Sequence, residues 1–185
     1  MVEATARILV SDGFDKASTN RIAELAGVSV GSLYQYFPSK EALVVAVIER
    51  HHRDIMRMVE GALAGIDSMP VAAAVRRLVA VAIEAHRVDP ELHRVVTEQI
   101  PRSGPLDEVD TLNREAHARL RAYLERHREE LGVADVTLAA FVCATAIEAV
   151  SHNAVLHHAE AQSGEAAAAL VDETTRLIVG YLAPA

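Results

Sequence analysis

The segment Val30-Gly31-Ser32-Leu33-Tyr34-Gln35-Tyr36-Phe37 holds the densest set of groups able to read another surface. In a short helix Leu33 and Phe37 stand i,i+4 and form an inward face. The outward groups are then Gly31, Ser32, Tyr34, Gln35 and Tyr36, which are small, hydroxyl or amide and carry no charge. A solvated helix usually shows Lys and Glu there. Against a DNA major groove the pattern has a use: Gly31 allows close approach, Gln35 can pair with a base edge, and hydroxyls can reach phosphates. A protein–protein face is the alternative for the same residues. Lys40, one of two lysines, falls in the first turn of a helix that Ser39 can cap. A cation there opposes the helix dipole by a few tenths to about 1 kcal/mol. A phosphate at the same helix end removes the conflict and takes up free N–H groups.

Other chemistry is thin. Nine histidines invite a metal reading, and Glu148 and His152 share a helical face at i,i+4. No HExxH occurs and no single helix offers a compact set of three ligands, so no metal site and no cofactor is expected. Solvated or locally bonded histidines, with Glu148–His152 lining a pocket as the alternative, are the reading of this set. The lone cysteine, Cys143, excludes an intrachain disulfide framework and a cysteine zinc site. Nucleophile-elbow, Walker and dinucleotide motifs are absent, and with nine glycines there is little to build a phosphate cradle, so an enzyme is not expected.

The elements that must position these groups are helical. The 185 residues include 33 Ala and 23 Val against 9 Gly and 6 Pro, which favours helix. Apolar residues make up 51% and aromatics 4%, so a core must be aliphatic. Asp12-Gly13 ends a first periodic run. Ser18-Thr19 opens a second, with Ile22, Leu25 and Ala26 apolar, and Gly27 closes it. The third, Val30–Phe37, stops at Pro38. A fourth runs from Ser39 to about Gly65. Met69-Pro70 and Asp89-Pro90 bracket a helix at about 71–88, Pro101–Pro105 is a loop, and helices follow at about 107–131, 135–161 and 165–182. The expectation is an all-α chain of about nine helices: a three-helix head at residues 1–50 and a larger helical body at 51–185. Ala23, Gly27 and Leu33 have helix-turn-helix spacing: a small residue for a steep crossing, glycine for the turn and an apolar plug.

The run Thr19-Asn20-Arg21-Ile22-Ala23-Glu24-Leu25-Ala26-Gly27-Val28-Ser29, continuing through Val30–Phe37 to Pro38-Ser39-Lys40-Glu41-Ala42-Leu43, strongly resembles the DNA-binding head of the TetR family of transcriptional regulators. The resemblance covers about residues 2–50; beyond them only length, helical content and a final helix pair are similar. It implies a homodimer whose heads enter successive major grooves of a near-palindromic operator, with a ligand-binding body controlling head spacing. By the same resemblance Val30, Gly31, Tyr34 and Gln35 match positions facing bases, and Ser18, Thr19, Ser32, Tyr36 and Lys40 match positions on the phosphate backbone. Family members usually begin with a basic arm and a longer first helix, whereas this chain begins at Met1-Val2-Glu3 inside that helix.

The body carries the charge. Residues 1–57 hold seven basic and seven acidic side chains, so residues 58–185 carry the whole net −8. A neutral head on an acidic body is compatible with a head that meets a polyanion. The apolar residues Leu78, Val81, Ala82, Val95, Val96, Leu112, Leu120 and Leu124 suggest inner faces around a largely apolar effector cavity, with His86, His117, Tyr123 and Glu148 as polar groups to orient a small amphipathic ligand. The small and aliphatic residues of the last two helices suggest a homodimer surface. The longest stretch without charge, Leu25–Ser39, is 15 residues, too short to span a bilayer. No basic and apolar leader opens the chain, so a reduced cytoplasmic protein is the default. The reading is a ligand-responsive regulator, a repressor by expectation. A helical sensor or scaffold with a DNA-incompetent head, or a metal-responsive regulator, is the alternative.

Overall fold

The structure is a computed structural model of the chain and describes residues 1–98, 107–157 and 164–184. Among the described residues there are nine α-helices and no strand, as the composition suggests: α1 (Val2–Asp12), α2 (Thr19–Ala26), α3 (Val30–Tyr36), α4 (Lys40–Leu63), α5 (Val71–Arg87), α6 (Pro90–Glu98), α7 (Asp107–Arg126), α8 (Val136–His157) and α9 (Gly164–Leu182). The expected loop at Pro101–Pro105 and any continuation of α8 beyond His157 lie outside the described residues. The helix expected over 107–131 ends earlier, at Arg126, and a single 3-10 turn covers Arg128–Glu130.

Local chemistry sets the boundaries of the first helices. Ser18, Ser29 and Ser39 each stand one residue before a helix, and each side-chain oxygen accepts a backbone N–H three residues on: from Arg21 at 3.4 Å, Ser32 at 3.0 Å and Ala42 at 3.1 Å. Gly27 ends α2 in the left-handed region, at φ 67° and ψ 31°, and the Val28 N–H returns to the Ala23 carbonyl at 3.0 Å. That conformation is nearly free for glycine and strained for any other residue type at this turn.

The chain's contacts divide into two units. The first comprises Met1–Arg53 and Asp89–Val109, the second Asp54–Val88 and Asp110–Ala185. In the first, Ile8, Leu9, Ile22, Ala23, Leu33, Leu43, Val44 and Val47 form one aliphatic core, and Leu92 and Val95 of α6 complete it. The sequence reading placed Val95 and Val96 in the body; they pack in the head instead, because α6 lies along α1. Glu3 receives hydrogen bonds from Arg50 at 2.9 Å and Arg7 at 3.2 Å. Arg50 first, and then Arg7, hold its carboxyl below the ordinary range. His51 Nε2 and His93 Nδ1, both buried, share a hydrogen bond of 3.0 Å.

In the second unit α5 packs against α8 and α9. Ala74, Val75, Val79, Ile83, Leu120, Leu124, Val136, Ala139, Cys143, Ile147 and Ile178 lie in its core. The buried α8 residues 136, 139, 140, 143 and 147 follow the helical repeat and belong to that core. Gly132 N–H donates to the Leu182 carbonyl at 2.9 Å, and a Cβ at Gly132 would run into the backbone of Ala183. Arg76 pairs with Asp172, and Arg126 with Asp67, on the surface. Burial pushes the Cys143 thiol up to about 11, so it is protonated and inert at neutral pH. By length and composition alone α8 is apolar enough to cross a membrane; its buried face belongs to the core of this unit.

Candidate nucleic-acid interface

In the head, α2 and α3 are joined by the Gly27 turn and locked by Leu33, which is fully buried against Ile22 and Ala23. Phe37 packs half-buried against the same core, so the inward face expected from the i,i+4 pair is present. The opposite face of α3 is open. Val30, Gly31, Tyr34, Gln35 and Tyr36 are exposed, Tyr36 at 72% of its surface. A Cβ on Gly31 would meet nothing of the chain closer than Ser29 Oγ at 3.8 Å. Nothing inside the fold therefore requires glycine at this position, and its missing side chain leaves room for an external surface. Gln35 makes no hydrogen bond within the described residues, and its amide keeps both donor and acceptor capacity.

The hydroxyl residues are less free than their spacing suggests. Ser18 caps α2. Ser32 Oγ lies 2.8 Å from Ser29 Oγ, and Thr19 Oγ1 lies 3.2 Å from the Tyr34 hydroxyl. Each of these hydroxyls can still offer a second hydrogen-bonding function outward. The Thr19–Tyr34 pair bridges α2 and α3 and fixes where Tyr34 stands on the open face. Arg21 Nη1 lies 2.6 Å from the Asp12 carboxylate and joins α2 to the end of α1.

Lys40 opens α4, as expected, and its surroundings include a residue the sequence reading passed over. The ammonium donates to the Phe14 carbonyl at 3.0 Å and lies 4.1 Å from the centroid of the Phe14 ring. A carbonyl dipole and an aromatic face together offset the unfavourable position of a cation at a helix start. Two ammonium protons remain for an outside acceptor. Phe14 follows Gly13 in the α1–α2 connection. A lone aromatic in a loop beside Gly-Asp residues was the available signal, but its partner lies 26 residues away.

The four polar residues expected around an effector are all in the second unit and fall into separate settings. Tyr123 is 1% exposed and its hydroxyl donates to the Met69 carbonyl at 2.8 Å, a use internal to the fold. Its phenol is pushed up by burial, then by Glu130. His117 is half-buried on α7; its Nδ1 donates to the Asn113 carbonyl at 2.6 Å, and its buried Nε2 has no hydrogen-bond partner among the described residues. Its ring stacks on Phe141 at 6.3 Å and 25°. His86 is buried on α5, with Nδ1 donating to the Ala82 carbonyl at 2.8 Å. Burial holds its pKa below the ordinary histidine value, against the raising influence of Glu148. Glu148 is exposed on α8, one turn before His152.

Comparison with known proteins bears on the head and the body separately. Residues 1–47 match the family described as bacterial regulatory proteins, tetR family. Residues 70–182 match the tetracyclin repressor-like C-terminal domain. A nucleoid occlusion factor SlmA from Haemophilus ducreyi is 34% identical over 85 residues, 46% of this chain and 41% of that protein. The transcriptional regulator RutR of Escherichia coli is 35% identical over 96 residues, 51% of this chain and 43% of that protein. The chain thus spans less than half the length of these curated relatives. Among solved structures, FadR of Bacillus subtilis in complex with stearoyl-CoA superposes with a TM-score of 0.72 at 17% identity, covering 98% of this chain and 97% of that one. A tetR-family regulatory protein from Rhodococcus gives 0.75 at 15% identity, with 100% and 95% covered. The helix-turn-helix with its open α3 face and the nine-helix order agree with these matches, and the C-terminal match alone covers more than half of the sequence: the chain belongs to the TetR family of bacterial transcription regulators.

Proposed function

We propose that the protein is a ligand-responsive repressor that binds a near-palindromic operator as a homodimer in the cytoplasm. The observation that carries the DNA reading is the face of α3. It is exposed, uncharged and held from behind by Leu33, and it presents a glycine that the fold itself does not need. Val30, Gly31, Tyr34 and Gln35 serve as the base-facing residues. Ser18, Thr19, Ser32, Tyr36 and Lys40 serve as phosphate contacts. Selection of bound fragments from the source genome should return one inverted repeat with half-site centres about 34–36 Å apart or a multiple of that spacing. On that operator Gln35→Ala should relax preference at one base pair per half-site, costing about 1–3 kcal/mol on the preferred base and less on the others. Equal weakening on every operator variant would remove Gln35 from base reading.

Lys40→Ala should behave differently. It should weaken binding by a similar factor on all sequences and flatten the plot of log K against log salt by about one unit, as loss of a phosphate contact does. Phe14→Leu should give a smaller loss in the same direction and none in the Lys40→Ala background, because Phe14 acts by holding that ammonium. An unchanged salt slope for Lys40→Ala would leave the lysine with a structural role only.

The dimer reading rests on α8 and α9. Both helices bury one apolar side in the core and leave a second outside: Leu138 and Phe141 on α8, Leu177 and Tyr181 on α9, between 41% and 60% exposed. Large apolar groups left in water on adjoining helices fit a four-helix contact with a second copy. An effector that is apolar or amphipathic suits the aliphatic interior of the second unit, with His86, His117, Tyr123 and Glu148 as its candidate polar contacts. The stearoyl-CoA held by the similarly folded FadR supports that class. Whatever its identity, the effector can release DNA only by as much as it prefers the arrangement of heads that does not fit the operator.

A further inference from the structure

The chain takes nearly all of its positive charge from arginine, and its two lysines, Lys16 and Lys40, are both tied to one turn of the head. Gly13, at φ 80°, closes α1 and redirects the backbone. Residues 14–17 then form a β-turn, with the Ala17 N–H donating to the Phe14 carbonyl at 3.3 Å. The same carbonyl accepts the Lys40 ammonium at 3.0 Å. Both ends of the turn are anchored: Ala17 is buried in the head core, and Phe14 packs half-buried against it. Asp15 and Lys16 form the exposed tip, just ahead of Ser18, the cap of α2. We infer that Lys16 binds a phosphate of duplex DNA, separate from the one assigned to Lys40; the inference rests on the DNA-binding reading of the head.

Three observations set Lys16 apart from an ordinary surface cation. The first is its lack of engagement. Arg7 and Arg50 of the head bond to Glu3, and Arg21 pairs with Asp12. Lys16 makes no hydrogen bond, ion pair or ring contact among the described residues, so an outside anion can take it without breaking a bond inside the fold. The second is position. The turn that carries Lys16 also holds the ammonium of Lys40, and it leads directly into the start of α2, where Ser18 and Thr19 stand as proposed phosphate contacts. A turn pinned at both ends has less freedom to lose on binding than a loose loop. The third is charge. Asp15 leaves the tip neutral as a whole, so net charge draws no anion there. The gain comes from direct contact by the ammonium, a compact point charge with three donors. Each phosphate neutralised by such a contact releases condensed counterions, which gives it a signature in the salt dependence.

The test needs no operator, because phosphate contacts act on any sequence. Binding of the full-length protein to a fluorescein-labelled, mixed-sequence duplex of about 30 base pairs is followed by anisotropy between about 50 and 200 mM salt. Lys16→Ala should flatten the plot of log K against log salt by about one unit for each chain bound. Its deficit against the wild type should then be about 3.5-fold larger at the low-salt end for each chain. Lys16→Arg should keep the wild-type slope, and Lys16→Ala/Lys40→Ala should flatten it by about two units per chain. Arg57→Ala, which removes the same charge from an ion pair with Asp54 in the second unit, should leave the slope as it was. Lys16 is exposed, so its variants should melt with the wild type. An unchanged slope in Lys16→Ala, while Lys40→Ala flattens the plot, overturns the inference and leaves the DNA reading standing. A double variant no flatter than Lys40→Ala, or an equal loss in Arg57→Ala, overturns it as well. Wild-type protein that does not bind the duplex, or binds it without salt dependence, removes the DNA reading and the inference with it.

Discussion

A chain carrying Leu177→Arg is expected to sediment as a folded monomer and to lose on the order of 10²–10⁴-fold in operator affinity, the factor that linking two binding modules typically supplies. Leu177 is 60% exposed, whereas its neighbour Ile178 is 2% exposed and belongs to the core. An arginine at 177 therefore disturbs little within one chain. In a dimer face shared with Leu138, Phe141 and Tyr181 it becomes an unpaired charge removed from water, which costs several kcal/mol. Ala146 of α8 is a poorer probe. Ala146 is half-buried and packed on the core, so an arginine there would unfold as readily as it would dissociate. Sedimentation at micromolar concentration separates the cases. A monomeric wild type, or a Leu177→Arg protein that stays dimeric with full affinity, would remove both this interface and the twofold operator.

The second large effect belongs to the head. Leu33→Ala should destabilise it by about 2–5 kcal/mol, the range for deleting a buried leucine side chain that its surroundings cannot collapse to replace. Leu33 is fully buried and joins α3 to Leu9, Ile22 and Leu43, so the cavity would open at the junction that holds the open face in place. Such a loss is a large part of the 5–15 kcal/mol that stabilises a whole domain. Operator binding should therefore disappear, while the dimer, whose proposed surface lies on α8 and α9, should persist. Circular dichroism on heating should show an earlier transition of part of the helical signal. A melting curve superimposable on the wild type would show that Leu33 is not the plug of the motif.

Much of the head was legible because its signals are local. Ser18, Ser29 and Ser39 cap the very helices they precede, and Gly27 sits where only glycine is comfortable, so boundary and turn follow from neighbours in sequence. The fate of α6 was not legible. Val95 and Val96 show that a face is apolar but not which core will take it, and contact with α1 decides that over more than 80 positions of chain. The clamp of Lys40 by Phe14 was missed for the same reason. So was the edge-to-face approach of the His86 and His152 rings, 6.3 Å between centroids, within the second unit: periodicity reports which side of a helix is inward, and it says nothing of which side chains meet there. Tyr123 was legible in its surroundings but not in its bonding. Its place in an apolar stretch follows from neighbours in sequence, whereas the bond of its hydroxyl to the Met69 carbonyl, 54 positions away, does not.

The distribution of tyrosines has a spectroscopic consequence. The chain has no tryptophan and four tyrosines, so its ultraviolet emission comes from those four rings alone. Tyr34 and Tyr36 stand on the open face of α3, Tyr123 is sealed in the body core, and Tyr181 lies on the exposed side of α9. Each of three events, engagement of the α3 face, loosening of the core and pairing of α9 with a second copy, thus has its own intrinsic fluorophore, and single tyrosine-to-phenylalanine replacements can separate their signals without an attached dye.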